Sequence, residues 1–128
     1  MNLYSADKIR NVCLLGHGGV GKTTLAEAAC YTAKTTAKMG KGDNGSSVFD
    51  ARSDEKSRKM TISMTAGYCE WQDAKVNMLN VPGFLDLLGD TIAALRAVDT
   101  AVIAVDGVSG VQVGAEVAYR YVTRAGLP

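Results

Sequence analysis

The sequence predicts an α/β fold, a three-layer sandwich whose mostly parallel sheet carries one antiparallel hairpin at its edge. Three observations predict it. An apolar run containing Val12, Leu14 and Leu15 leads through a glycine-rich turn into a stretch of good helix formers that begins at Thr24-Leu25-Ala26-Glu27. Two strand-like runs, Thr61–Trp71 and Lys75–Val81, are separated only by Gln72-Asp73-Ala74, a connection short enough for a hairpin. A short continuous apolar run, Ala101–Val105, lies between two helical patterns, as a buried parallel strand does.

Taken in order, residues 9–15 form the first strand and residues 22–37 the first helix. The turn between them, Gly16-His17-Gly18-Gly19-Val20-Gly21-Lys22-Thr23, fills every fixed position of the phosphate-binding pattern GxxxxGK[ST]. Glycines there let consecutive N–H groups turn toward an anion, Lys22 reaches β and γ oxygens, and the Thr23 hydroxyl is placed to ligate Mg²⁺. The helix that starts at the turn aims its positive dipole end at the same anion. His17, Gly18, Gly19, Val20, Gly21, Lys22, Thr23 and Thr24 are therefore the candidate nucleotide-binding residues.

From Met39 to Met60 the chain is rich in breakers and charges, including Gly40, Gly42, Gly45, Asp50, Asp54 and Glu55. A connection of that length inside a compact domain is usually functional, and part of it is expected to be disordered without ligand. Lys56, Arg58 and Lys59 read as solvated loop charges. After the hairpin, Leu87, Leu88, Ile92 and Leu95 fall at helical spacing on one face and should pack on the core. Asp106-Gly107-Val108-Ser109-Gly110 is a turn before a last helix ending near Arg124. There is no internal repeat, low-complexity tract or second domain.

Composition narrows the function. A formal charge of +1 over 128 residues provides no basic field for DNA. Cys13, Cys30 and Cys69 are odd in number and lack CxxC spacing, which suits reduced thiols in the cytoplasm better than zinc or disulfides. His17 is the only histidine, so a multi-histidine metal site is excluded. No stretch approaches the roughly 20 apolar residues of a membrane span, and the N-terminus lacks the apolar core of a signal peptide.

The later motifs choose among phosphate-loop families. Gly18-Gly19-Val20-Gly21-Lys22-Thr23-Thr24 is similar to the loop of partitioning ATPases, although His17 stands where those proteins carry a signature lysine. Asn80-Val81-Pro82-Gly83 resembles the DxPG element of translational GTPases, Gly83-Phe84-Leu85-Asp86 resembles their Gly-His-Val-Asp run, and Asp106–Gln112 resembles a turn ending in Gly-Val-Gln. Asp50, Glu55 and Arg58-Lys59-Met60-Thr61-Ile62 resemble a first switch that normally ends in Arg-Gly-Ile-Thr-Ile. Together these motifs, from Lys8 to Pro128, resemble the N-terminal part of the GTP-binding domain in the elongation factor G family, as a divergent member.

That resemblance implies an incomplete P-loop NTPase sandwich over residues 1–128, with switch I at about 39–62 and switch II at about 80–97. It implies GTP or GDP and Mg²⁺ as ligands, hydrolysis of GTP, a cytoplasmic location and the ribosome, with its RNA and proteins, as partner. Lys22, Thr61 and Gly83 take the catalytic positions, and Thr23, Thr61 and Asn80 the metal positions. Three departures fall on the chemistry: Asn80 replaces an aspartate, Phe84 replaces the histidine that positions attacking water, and Gly19 replaces a loop aspartate. They favour slow hydrolysis, or a nucleotide-gated switch with negligible turnover. His17 is read as structural. The Asn-Lys-x-Asp element that reads guanine is absent, so the chain is read as a fragment of a larger GTPase whose open sheet edge favours self-association.

Overall fold

A computed structural model of the protein describes residues 3–128 and contains four strands and four α-helices. Strand β1 spans Ile9–Gly16, and helix α1 spans Lys22–Thr32. Helix α2, Ser53–Arg58, lies in the long connection. Strands β2, Thr65–Trp71, and β3, Ala74–Asn80, follow. Helix α3, Leu88–Leu95, strand β4, Thr100–Ala104, and helix α4, Val113–Ala125, complete the order. The sheet order is β2-β3-β1-β4, with β1 parallel to β3 and β4 and only β2 antiparallel. The edge hairpin and the mostly parallel sheet are as the sequence predicts.

Alternation along β1 divides the core into two layers. Cys13 and Leu15 face Val81, Ala94, Leu95, Val98, Ala118 and Val122 beneath α3 and α4. Leu14 faces the other way, toward Ala26 and Cys30 of α1 and toward Phe49, Cys69 and Met78. The sheet is thus covered on both faces, and all parallel strands point their carboxyl ends at the turn between β1 and α1.

Several boundaries differ from the sequence reading, each for a local reason. Helix α1 stops at Thr32 rather than near 37, because Lys34 adopts a left-handed φ of 59° and the Thr35 N–H closes on the Cys30 carbonyl at 2.9 Å. The hairpin turn has two residues rather than three. Gln72 and Asp73 both take positive φ, 47° and 64°, the turn handedness that matches strand twist. Strand β2 begins at Thr65, while Thr61 lines the cavity and the N–H groups of 62–64 are held by Glu55 and Asp90. Ile92 is exposed, while Thr91, Ala94 and Leu95 form the buried face of α3. Val102 of β4 is also exposed, on a strand at the sheet edge.

The connection expected to be partly disordered has a defined course. A short 3₁₀ turn at Gly42–Asn44 and helix α2 are held by two buried carboxylates, Glu27 and Glu55, which are 0% and 1% exposed. Glu27 accepts from the Gly40 N–H at 3.0 Å, the Ser47 hydroxyl at 2.7 Å and the Val48 N–H at 2.6 Å. Glu55 accepts from the N–H groups of Arg52, Ile62 and Ser63 at 3.3, 3.0 and 3.1 Å. Backbone donors therefore meet each buried carboxylate, which offsets the cost of removing it from water.

Candidate functional site

The carboxyl ends of β1 and β3 bring the glycine-rich turn against the Pro82-Gly83 turn, and the 40–61 connection folds across the front. Together they enclose a cavity of about 600 Å³. Its walls include Gly18, Gly19, Gly21, Lys22, Thr23 and Thr24 from the first turn, Asp50 and Thr61 from the connection, and Gly83 and Phe84. The cavity lies at the N-terminus of α1, where unpaired N–H groups favour an anion.

Gly16 enters this turn at φ 134°, and a side chain there would collide with the Ala104 carbonyl of β4. The close packing of β1 on β4 thus selects glycine. Lys22 curls back under the loop, only 6% exposed, and its Nζ donates to the carbonyls of His17 at 2.7 Å and Gly16 at 3.2 Å. Burial pulls its ammonium down to about 8, against a smaller upward pull from Asp50. Gly83 lies directly over it: a Cβ at Gly83 would strike Lys22 Nζ and come within 2.7 Å of the Gly18 nitrogen. Any other residue at 83 would push the second turn off the first.

A polar cluster sits beside the lysine. The Thr61 hydroxyl donates to Asp50 Oδ1 at 2.8 Å, and Thr23 Oγ1 lies 3.1 Å from Thr61 Oγ1. Asn80, fully buried, donates through Nδ2 to Thr23 Oγ1 at 3.0 Å and Thr61 Oγ1 at 3.4 Å. Its Oδ1 is buried without a partner. Burial raises the Asp50 carboxyl above the ordinary range, and hydrogen bonds from Thr61 and Thr23 oppose that rise.

These atoms fit Mg²⁺. Two oxygens on adjacent corners of an octahedron with bonds of about 2.1 Å lie about 3 Å apart, which is the spacing of the two threonine hydroxyls. Asp50 supplies a negative charge next to that pair. The orphaned Asn80 oxygen would be free to accept from a water bound to such an ion.

The structure brings together Lys22, Thr23, Thr61, Asn80 and Gly83, with Gly18, Gly19, Gly21 and Thr24 lining the same cavity. Two predicted nucleotide-binding residues stand apart. His17 turns away toward α4, where its Nδ1 accepts from the Gly114 N–H at 3.3 Å, consistent with a structural role. Val20 is absent from the cavity wall, and its Cγ2 approaches Gly16. The Phe84 ring lies against Gly18, with its Cζ 2.8 Å from where a Gly18 Cβ would stand, and forms an apolar patch of the wall.

Sequence reasoning missed Glu27 and Asp90 as site-forming residues. Asp90 Oδ2 accepts from the Met64 N–H at 2.7 Å and ties the end of the connection to α3. Arg58 and Lys59, read from the sequence as solvated charges, are exposed and also line the cavity together with Lys41. For Asp90 the available signal was an acidic residue in a helix first turn, which sequence alone assigns to the helix dipole.

Comparison with known proteins supports the same frame. The family described as the elongation factor Tu GTP binding domain matches residues 7–128. An elongation factor G of Dehalococcoides mccartyi is 34% identical over 125 residues, covering 98% of this chain and 18% of that protein. Elongation factor G 2 of Streptomyces coelicolor is 35% identical over 120 residues, covering 94% and 18%. The chain therefore spans about a fifth of the length of the curated relatives it matches. Among solved structures, a crystal structure of a Thermus thermophilus protein superposes with a TM-score of 0.91 at 36% identity, covering 94% of this chain and 18% of that one. A bacterial selenocysteine-specific elongation factor shares the fold, with a TM-score of 0.74 at 21% identity and coverage of 94% and 18%.

Proposed function

The chain belongs to the family of elongation factor Tu GTP-binding domains, and from that premise we propose that it is the N-terminal part of the GTP-binding domain of an elongation factor G-like GTPase. In this reading the full protein binds GTP and GDP with Mg²⁺, hydrolyses GTP on the ribosome and works in the cytoplasm. The observation that carries it is the convergence of Lys22, Thr23, Thr61, Asp50 and Asn80 on one cavity at a helix N-terminus.

Each group has a role that follows from its position. Lys22 donates to the β and γ oxygens, exchanging its two carbonyl partners for phosphate. Thr23 and Thr61 would hold Mg²⁺, which when bound would neutralise charge on those oxygens, while Asp50 orients the Thr61 hydroxyl. The Gly83 N–H, in the cavity wall beside Lys22, would report the γ-phosphate, whose departure would release both the 40–61 connection and the 82–84 turn.

No donor or acceptor is available at Phe84 to position water, which supports slow turnover and keeps a nucleotide-gated switch as the second reading. In single-turnover GTP hydrolysis with ribosomes, Phe84→His in the full-length protein is expected to accelerate turnover at least tenfold, toward the roughly 10²–10⁴-fold that a positioned proton-transfer group contributes. No gain would remove Phe84 as the limiting feature.

Competition between GTP and ATP for the full-length protein tests the reading itself. GTP should displace a fluorescent guanine nucleotide at least 100-fold more effectively than ATP. A preference for ATP would instead favour the partitioning-type ATPase.

The ribosome and its RNA are proposed as partners on family grounds, with no role for DNA or a membrane. Among the described residues no helix is long and apolar enough to cross a membrane. Exposed Val105, Val111 and Tyr119 beside β4 support self-association of the segment when isolated.

A further inference from the structure

We propose that Lys59 is a phosphate-contacting residue that gives this protein a preference for triphosphate over diphosphate, as part of a cationic rim formed with Lys41 and Arg58. The proposal rests on the reading of the cavity as a nucleoside triphosphate site and adds a residue to it.

Four observations lead there. Lys41, Arg58 and Lys59 all line the cavity that holds Lys22, on the wall formed by the connection. Among the described residues none of the three has a hydrogen-bond or ion-pair partner for its side chain, whereas Asp50 is the carboxylate in the cavity wall and is already engaged by Thr61. With Lys22, the wall therefore presents four cationic residues against one carboxylate, an excess that suits a polyanion. Finally, Lys59 sits at φ 55°, ψ 42°, the left-handed conformation that closes α2. Glycine is the residue that takes this conformation without strain.

A lysine in that position weakens the folded state, so its side chain must be sought for what it reaches. From the end of α2 it stands on the same wall as Thr61, two residues on, which faces the proposed Mg²⁺. In this reading Thr61 senses the γ-phosphate, so a cation two residues before it is expected to meet the outermost phosphate. The Phe84 side chain in the same cavity wall is apolar. Lys59 thus supplies, from the connection, a charge that Phe84 cannot provide. Because the same connection is anchored through Glu55 to Ile62 and Ser63, contact at Lys59 and contact at Thr61 form together. The rim therefore couples triphosphate binding to closure of the connection.

The test uses Lys59→Gly and Lys59→Met in the full-length protein. Glycine removes the charge and relieves the backbone, so this variant is expected to melt at or above the wild-type temperature without nucleotide. Methionine removes the charge and keeps the backbone as it is. Affinities are measured for GTP, GDP and the inorganic probes tripolyphosphate and pyrophosphate, each with Mg²⁺. Both variants should lose roughly tenfold for GTP and tripolyphosphate, the loss of one charge-assisted hydrogen bond, and less than threefold for GDP and pyrophosphate. Equal losses for the long and short members of each pair, or no loss, would overturn the proposal. The inorganic pair carries no base. A wild-type preference for ATP over GTP would therefore refute the functional reading while leaving the Lys59 result interpretable.

Discussion

Replacing Lys22 by methionine is expected to abolish nucleotide binding and, at the same time, to stabilise the empty fold. The two effects have one cause. The Lys22 ammonium is 6% exposed and satisfied only by two backbone carbonyls, so without phosphate the protein carries a buried cation whose burial has drawn its pKa from 10.5 to about 8. Methionine fills similar space without the charge. Removing that penalty should raise stability by on the order of 2 kcal/mol after loss of the two hydrogen bonds.

The sign with pH follows from the lowered value. Below about pH 8 the folded and unfolded states both hold the Lys22 proton, and the wild type bears the full penalty. Between about 8 and 10.5 the unfolded chain binds more protons than the folded one, so wild-type stability rises relative to the variant. The advantage of Lys22→Met is therefore largest at neutral pH and shrinks toward pH 10.5. Burial raises Cys13 and Cys30 to about 11, which lowers stability in the alkaline range, but both cysteines are common to the two proteins and cancel in the difference. Urea unfolding at several pH values, paired with equilibrium binding of a fluorescent GTP analogue, checks both halves. A variant that binds nucleotide within tenfold of wild type, or that is less stable at neutral pH, would contradict this account.

The second large effect is expected at Glu27. Alanine there leaves the Gly40 N–H, the Ser47 hydroxyl and the Val48 N–H without their shared acceptor. Part of that loss is recovered as the segment swings out to water, so the expected destabilisation is roughly 2–4 kcal/mol. Glutamine is also expected to fail, because three donors converge on two oxygens and an amide offers only one. Amide hydrogen exchange should report loss of protection at Gly40 and Val48 ahead of the sheet. Unchanged protection and an unchanged urea midpoint would show that the connection is held by something other than Glu27.

Much of this architecture is legible in the sequence, and the illegible part has a common physical origin. The phosphate loop announces itself because its geometry demands residue types that no packing turn needs. The hairpin is visible because its turn is too short for anything else. Thr61 and Asn80 could be placed by motif, although only the fold shows that they share a hydrogen-bond cluster with Thr23 and Asp50. Glu27 escaped, and the burial of Glu55 was not foreseen, because a buried carboxylate and a solvated helix glutamate look alike along a chain. What distinguishes them is a set of backbone donors that arrive from 13 or more residues away at Glu27 and from up to 8 at Glu55. Arg58 and Lys59 are exposed, as solvated charges are, and only the fold shows that they also line the cavity. Ile92 failed for a different reason: helical spacing predicts a stripe, and the small residues Thr91 and Ala94 occupy the buried side of α3 instead.

The hairpin turn at Gln72-Asp73 lies at the far end of the sheet from the cavity, yet it acts as the ruler for it. Its two residues fix the register in which Trp71 pairs with Ala74 and, at the other end, Thr65 pairs with Asn80. That pairing sets how far back along the chain Thr61 stands from Asn80, and so whether the two side chains meet. A slip of a single residue at the turn would carry through seven pairs, roughly 20 Å of strand, and would turn every β2 side chain to the opposite face. The polar cluster of Thr23, Thr61 and Asn80 therefore depends on the residue count of a surface turn that never touches it.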